Sequence, residues 1–186
     1  MPLPLIHKIV TIATVVLLAF FLCATIFVGF YNLHEFRRYA GKIEAIYQAM
    51  DREDRQPPAN VQSFIWTVEG NIVDGFAARN LLYELRRPMR MSAWHYHSAM
   101  WALMLRLHFD RTKRLSFYCH YLPHENGVGF ASAAEVYFGK KPEELNEDQL
   151  ATLVAIGRLP SANSATPHPE SLARSQARLL EAARTQ

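Results

Sequence analysis

Residues 9–31 constrain this chain more than any other stretch. They are 23 consecutive positions without a charge, and 19 of them are apolar. As a helix rising ~1.5 Å per residue the run is ~34 Å long, enough to cross a bilayer core of ~30 Å. A secretory signal has a shorter apolar run, ~7–15 residues, and a small-residue exit. Here Phe30 and Tyr31 follow Gly29 directly. The run therefore reads as a retained anchor, with residues 1–31 forming a short tail and a transmembrane helix. The 155 residues that follow suffice for one domain with its own core.

Composition narrows the class. The chain has 20 Lys and Arg, 17 Asp and Glu, a formal charge of +3, and is half hydrophobic. That excludes a disordered tail, a collagen and a multi-pass transporter. There are two cysteines, Cys23 and Cys119. Cys23 lies within the apolar run, so no internal disulfide is expected. Orientation is ambiguous from charge. Lys8 and the amino terminus precede the run, whereas Arg37, Arg38 and Lys42 follow it. Read literally, the positive-inside rule puts the domain in the cytoplasm.

Charge is also uneven along the domain. Residues 85–114 carry seven basic side chains and one acidic one, a local +6. Such a stretch either lies against phosphates or is a solvated basic helix face.

Helical signals dominate. The pattern predicts helices over 43–50, 76–85, 92–109 with Ser92 as N-cap, 112–121, 131–138 after a glycine turn, 147–156, and 170–183. Asn146 and Gln149 have capping-box spacing for the helix from Glu147. Pro57-Pro58 marks 52–60 as a linker or extended turn, and 160–169 reads as a loop. Neither Asp74-Gly75 nor Asn126-Gly127 is flanked by the alternation of a hairpin. The fold class expected is all-α, one domain behind one anchor.

Residues 127–184 resemble the carboxyl-terminal part of the peptidoglycan glycosyltransferase domain, glycosyltransferase family 51. The resemblance rests on Gly127-Val-Gly-Phe-Ala-Ser-Ala-Ala134, Tyr137-Phe-Gly-Lys140, and Leu145 with the helix Asp148-Gln-Leu-Ala-Thr-Leu153. Leu159-Pro-Ser161, Pro167, Pro169 and the Arg-rich closing helix from Ala173 complete it. Upstream, Ala78-Arg-Asn-Leu81 is similar to the Ala-Lys-Asn-Leu that closes the family's Gly-Gly-Ser-Thr motif. On that register Gly70 matches a glycine, Asn71 replaces Ser, and Asp74 replaces the second Thr. The chain is thus identified as a degenerate or truncated member. The resemblance implies a lysozyme-like helical domain over 70–186, behind a juxtamembrane helix and linker over 32–69. It also implies a place on the outer, periplasmic side of the bacterial cytoplasmic membrane, against the literal charge count. Its implied partners are the bilayer, lipid II and another cell-wall synthesis protein, with no nucleic acid.

The family's chemistry needs a base for the attacking hydroxyl and cations for the departing diphosphate. The family's second Glu has no counterpart: between Glu84 and Glu125 there is no Glu, and its position falls near Ser98 or Met100. The first is matched only by Glu53-Asp54, which lacks the Phe that follows in the family pattern. Both acid roles therefore read as lost, with Glu69 and Asp74 as fallback acids and Asp110 a further one. The cations persist. Arg79, Arg86, Arg87, Arg90, Arg111, Lys113 and Arg114, with Asn80, are the candidate substrate-binding residues, and Lys113 matches a family Lys. His120 and His124 are spaced i, i+4, but Pro123 interrupts the helix, so no metal site is expected; a divalent metal enters only if the chain is active. Three functions stay open: a pseudoenzyme that binds lipid II or a wall-synthesis partner, an active transglycosylase with relocated acids, and a non-catalytic membrane interaction protein.

Overall fold

The computed structural model describes residues 3–86, 90–158 and 169–185. Contacts divide the chain into two compact units, Met1–Gly41 and Lys42–Gln186.

The first unit is built on one long helix, α1 (Leu3–Tyr31). Its apolar side chains face outward on all sides; Leu18 is 63% exposed and Phe20 67%. Two of its hydroxyls are satisfied internally: Thr14 Oγ1 donates to the Val10 carbonyl at 2.9 Å, and Thr25 Oγ1 to Phe21 at 2.8 Å. A helix that makes its backbone bonds within itself and presents an apolar surface is what a bilayer core demands. This helix is long and apolar enough to cross a membrane. A π-helical stretch, Asn32–Phe36, and a 3-10 turn, Arg37–Tyr39, follow it.

The second unit is helical. It holds most of α2 (Ala40–Ala49), then the single turn α3 (Arg52–Arg55), α4 (Ala59–Glu69), α5 (Ile72–Leu85), α6 (Met91–His108) and α7 (Arg111–His120). After a small hairpin come α8 (Phe130–Phe138), α9 (Glu147–Arg158) and α10 (Pro169–Arg184). The core lies where α4, α7, α8 and α9 meet. Val61, Ile65, Leu115, Cys119, Ala134, Leu153 and Val154 are wholly buried there. Helix α5 packs on α6 and α7, and α10 packs on α9 and α4. The fold class is all-α.

Four local expectations need correction. The stretch 52–60 is not one linker, because α3 occupies its first half and α4 starts at Ala59. Pro58 is extended and holds the N-cap of α4, where its missing N–H costs nothing. Helix α5 begins four residues before Phe76 and carries Asp74 and Gly75 inside it. Ser92 is not the cap of α6: Arg90 holds that position, and no side chain caps it. The Asn126-Gly127 turn does close a minimal hairpin. β1 (Pro123–His124) pairs antiparallel with β2 (Gly127–Val128), His124 opposite Gly127. Two residues per strand are too few for alternation to register in sequence. By contrast the capping box of α9 is present: Gln149 N donates to Asn146 Oδ1 at 2.9 Å, and Asn146 N to Gln149 Oε1 at 3.1 Å. The loop expected over 160–169 and the Leu159-Pro-Ser161 motif fall almost wholly outside the described residues. Cys23 and Cys119 are both free.

Candidate functional site

Only Phe109 and Asp110 separate α6 from α7. Phe109 is extended, and Asp110 caps α7 by accepting from Lys113 N at 2.7 Å. So short a joint sets the last turn of α6 beside the first turn of α7. It brings Arg106 next to Arg111 and Arg114, which sit three apart and share a face of α7. Asp74, in the first turn of α5, faces them.

Asp74 is the centre of the cluster. Its Oδ2 accepts from Arg106 Nε at 2.5 Å, and Arg114 Nη1 donates to Oδ1 at 2.8 Å and Oδ2 at 2.9 Å. The Asp74 side chain is 2% exposed, against 42% for Arg106 and 17% for Arg114. Arg106 Nη2 also donates to Asn71 Oδ1 at 3.2 Å. From α4, the Trp66 ring carries the Arg111 guanidinium 4.5 Å from its centroid and that of Arg114 at 5.4 Å. These groups, with Gly70, line an open cavity of about 430 Å³. Three arginines and one aspartate give it a formal charge of +2. A second opening adjoins it, sharing Trp66 and Arg111 and adding Gln62, Ser63, Thr67 and Thr112.

Glu69 belongs to a different network. Its Oε1 accepts from Arg158 Nε at 2.8 Å and from the Tyr118 hydroxyl at 3.1 Å. Its Oε2 is buried without a hydrogen-bond partner among the described residues. Burial, reinforced by the Glu69 charge, pushes the Tyr118 phenol well above its ordinary pKa, so it stays a donor.

The candidate residues named from sequence are dispersed. Asp74, Arg111 and Arg114 meet in the cavity. Lys113 turns away from it: Nζ donates to Glu44 Oε2 at 2.6 Å and lies over the rings of Tyr47 and Phe109. That ion pair, with a bond from Gln48, holds the Glu44 carboxyl below its usual range. Asn80 Nδ2 donates back to the Phe76 carbonyl at 2.9 Å. Arg79 is exposed on α5, Arg86 ends that helix with Nη1 3.1 Å from His97 Nδ1, and Arg90 is exposed before α6. Arg87 lies outside the described residues. Ser98, near the position of the family's second Glu, is buried in α6 with no bond to its hydroxyl among the described residues. Asp110 is spent as a helix cap, and Glu53-Asp54 lies within α3.

Arg106 and Trp66 were not among those candidates. Arg106 sits in the last turn of an apolar helix, where a cation ordinarily answers the helix dipole. The signal was Asp74 itself: an acid within a buried helix face needs cations from elsewhere in the chain. His120 ends α7 and His124 lies in β1. No group of three or more His, Cys, Asp or Glu among the described residues is placed to hold a metal ion.

Comparison with known proteins fits this architecture. The model of the transglycosylase family matches residues 77–184. A 102-residue segment is 29% identical to penicillin-binding protein 1A of Aquifex aeolicus (strain VF5). That segment covers 54% of this chain and 14% of that relative. Arg106, Arg111 and Arg114 fall inside the family match, while Trp66, Glu69 and Asp74 precede it.

Proposed function

This chain belongs to the transglycosylase family, whose domain is helical and lysozyme-like, and on that footing we propose that it holds a lipid-linked glycan diphosphate, such as lipid II, without polymerising it. Its role is peptidoglycan glycosyltransferase-like. In this reading α1 anchors it as a single pass in the bacterial cytoplasmic membrane, with the helical domain over 70–186 on the outer side.

One observation carries the reading: both fallback acids are committed to ion pairs. A general base must reach the hydroxyl it deprotonates and keep a lone pair for that proton. Asp74 is buried, with both oxygens taken by Arg106 and Arg114. Glu69 gives Oε1 to Arg158 and Tyr118, and its unpartnered Oε2 is buried out of reach of a hydroxyl in the cavity. The cationic half of the chemistry persists in Arg111, which lies on Trp66 and lines both openings. A guanidinium fixed on an aromatic face and open to solvent suits a phosphate oxygen.

The test is a lipid II assay on the full chain in nanodiscs, reading binding and glycan polymerisation together. Binding without polymer is expected, and Arg111→Ala should weaken binding about tenfold. Polymer made by the wild-type chain alone defeats the proposal. If Glu69→Gln then abolished that activity, the chain would be an enzyme with a relocated acid. Absence of lipid II binding would leave a membrane interaction protein.

A further inference from the structure

The residues lining the 430 Å³ cavity carry three guanidiniums and a single carboxylate, and the carboxylate is the most buried of the four charges. We propose that Asp74 is a built-in counter-anion, which occupies Arg106 and Arg114 in competition with a diphosphate ligand and so sets the affinity of the cavity. The inference rests on the diphosphate reading above and concerns how that same site is held in check.

A carboxylate and a phosphate use the same N–H forks of arginine, so they compete for the same donors. Arg114 gives one nitrogen to both oxygens of Asp74, and Arg106 gives its Nε. Asp74 is almost wholly shielded from water, so its charge acts on the two arginines with little screening. Arg111 is held differently. It makes no ion pair among the described residues and is placed by the Trp66 ring. An incoming dianion therefore meets Arg111 first. To take Nη1 of Arg114, which borders the same ring, it must displace Asp74.

The plain alternative is that Asp74 only clamps α5 to α6 and α7. The two accounts part on one substitution. Asp74→Asn keeps the shape and an acceptor oxygen but removes the charge. A clamp alone predicts lower stability with unchanged or weaker anion affinity. A counter-anion predicts tighter binding by about tenfold or more, with a steeper salt dependence.

Inorganic pyrophosphate titrated into the full chain in phosphatidylcholine nanodiscs measures this directly. A parallel arm uses nanodiscs containing polyprenyl diphosphate, and separates lipid-borne from free diphosphate. Tighter binding by Asp74→Asn in either arm is the result expected. Wild-type binding with no gain in the folded variant overturns the counter-anion and leaves the diphosphate reading standing. No binding by either protein in either arm overturns both. Should the variant not fold, the wild-type chain decides alone. At saturating pyrophosphate the carbon-13 signal of the Asp74 carboxyl must move as its arginines are drawn off. A signal that stays fixed while Arg111 responds overturns the proposal.

Discussion

Asp54 shows how a single acid acquires a role that its neighbours in sequence do not disclose. It is buried where α3 meets α8, and its Oδ1 accepts from Ala131 N at 2.9 Å. Burial pushes its carboxyl up to about 6 from 3.8; the Ala131 N–H opposes this, and Asp51 and Glu53 add to the rise. A folded pKa above the unfolded one means that the protonated form favours folding. The contribution is full below about 4 and is lost as pH rises through about 6, a swing of about 3 kcal/mol. Urea denaturation of the full chain in micelles should therefore show the wild type gaining on Asp54→Asn by roughly that amount between about pH 7 and pH 4. A gap that does not change with pH would refute it. The same carboxylate explains Gly129. That residue has φ +124, and a Cβ there would lie 2.9 Å from Asp54 Oδ2. Gly129→Ala combines backbone strain with this collision, and a loss of about 2–4 kcal/mol is expected in the same denaturation experiment. In sequence, Glu53-Asp54 could be weighed only as a failed catalytic pair, because burial and the partner across α8 are tertiary facts. Lys113 and Arg114 teach the same limit: adjacent cations in one basic stretch leave α7 toward different carboxylates, Glu44 and Asp74.

Elements that announce themselves by periodicity and caps were legible, and those that depend on a neighbour were not. Helix α9 carries its own start signal, and both capping-box bonds form. Asn146→Ala removes one of them and should cost about 1 kcal/mol in a chemical denaturation midpoint, with the slope unchanged. Helix α4 was hidden behind Pro57-Pro58, although Val61, Phe64, Ile65 and Val68 have the i, i+3, i+4, i+7 spacing of a buried face. The Pro-Pro pair marks a linker by composition, yet it precedes a helix start. Nor does periodicity reveal why a glycine stands late in α9. At Gly157 a Cβ would lie 2.4 Å from Leu122 Cδ1 and 3.2 Å from its Cγ, so the missing side chain lets α9 approach the hairpin. Leu122 is fully buried, so the added side chain forces its neighbours to repack. Gly157→Val should destabilise the unit by about 2 kcal/mol or more, visible as a lower denaturation midpoint. Had that space been open, the substitution would be nearly silent.

For the whole molecule, the decisive quantity is the side of the membrane on which the helical unit lies. The charge count is close: the amino terminus and Lys8 precede the apolar run, and Arg37, Arg38 and Lys42 follow it. A difference of one positive charge is a weak determinant, and the lipid-linked ligand proposed above calls for the outer face. The arginine cavity adds a physical reason. The proposed diphosphate site, of formal charge +2, works only where that head group is presented. Protease added to intact spheroplasts should therefore digest the chain beyond residue 41 and leave the anchor in the membrane. The anchored chain should also resist carbonate extraction, and lose that resistance when residues 3–31 are deleted. Protection of the domain in intact spheroplasts, with cleavage only after lysis, would place it in the cytoplasm. The literal positive-inside count would then be correct. The cavity would face the wrong leaflet for an exported glycan carrier, and its arginines would need a cytoplasmic anion to answer.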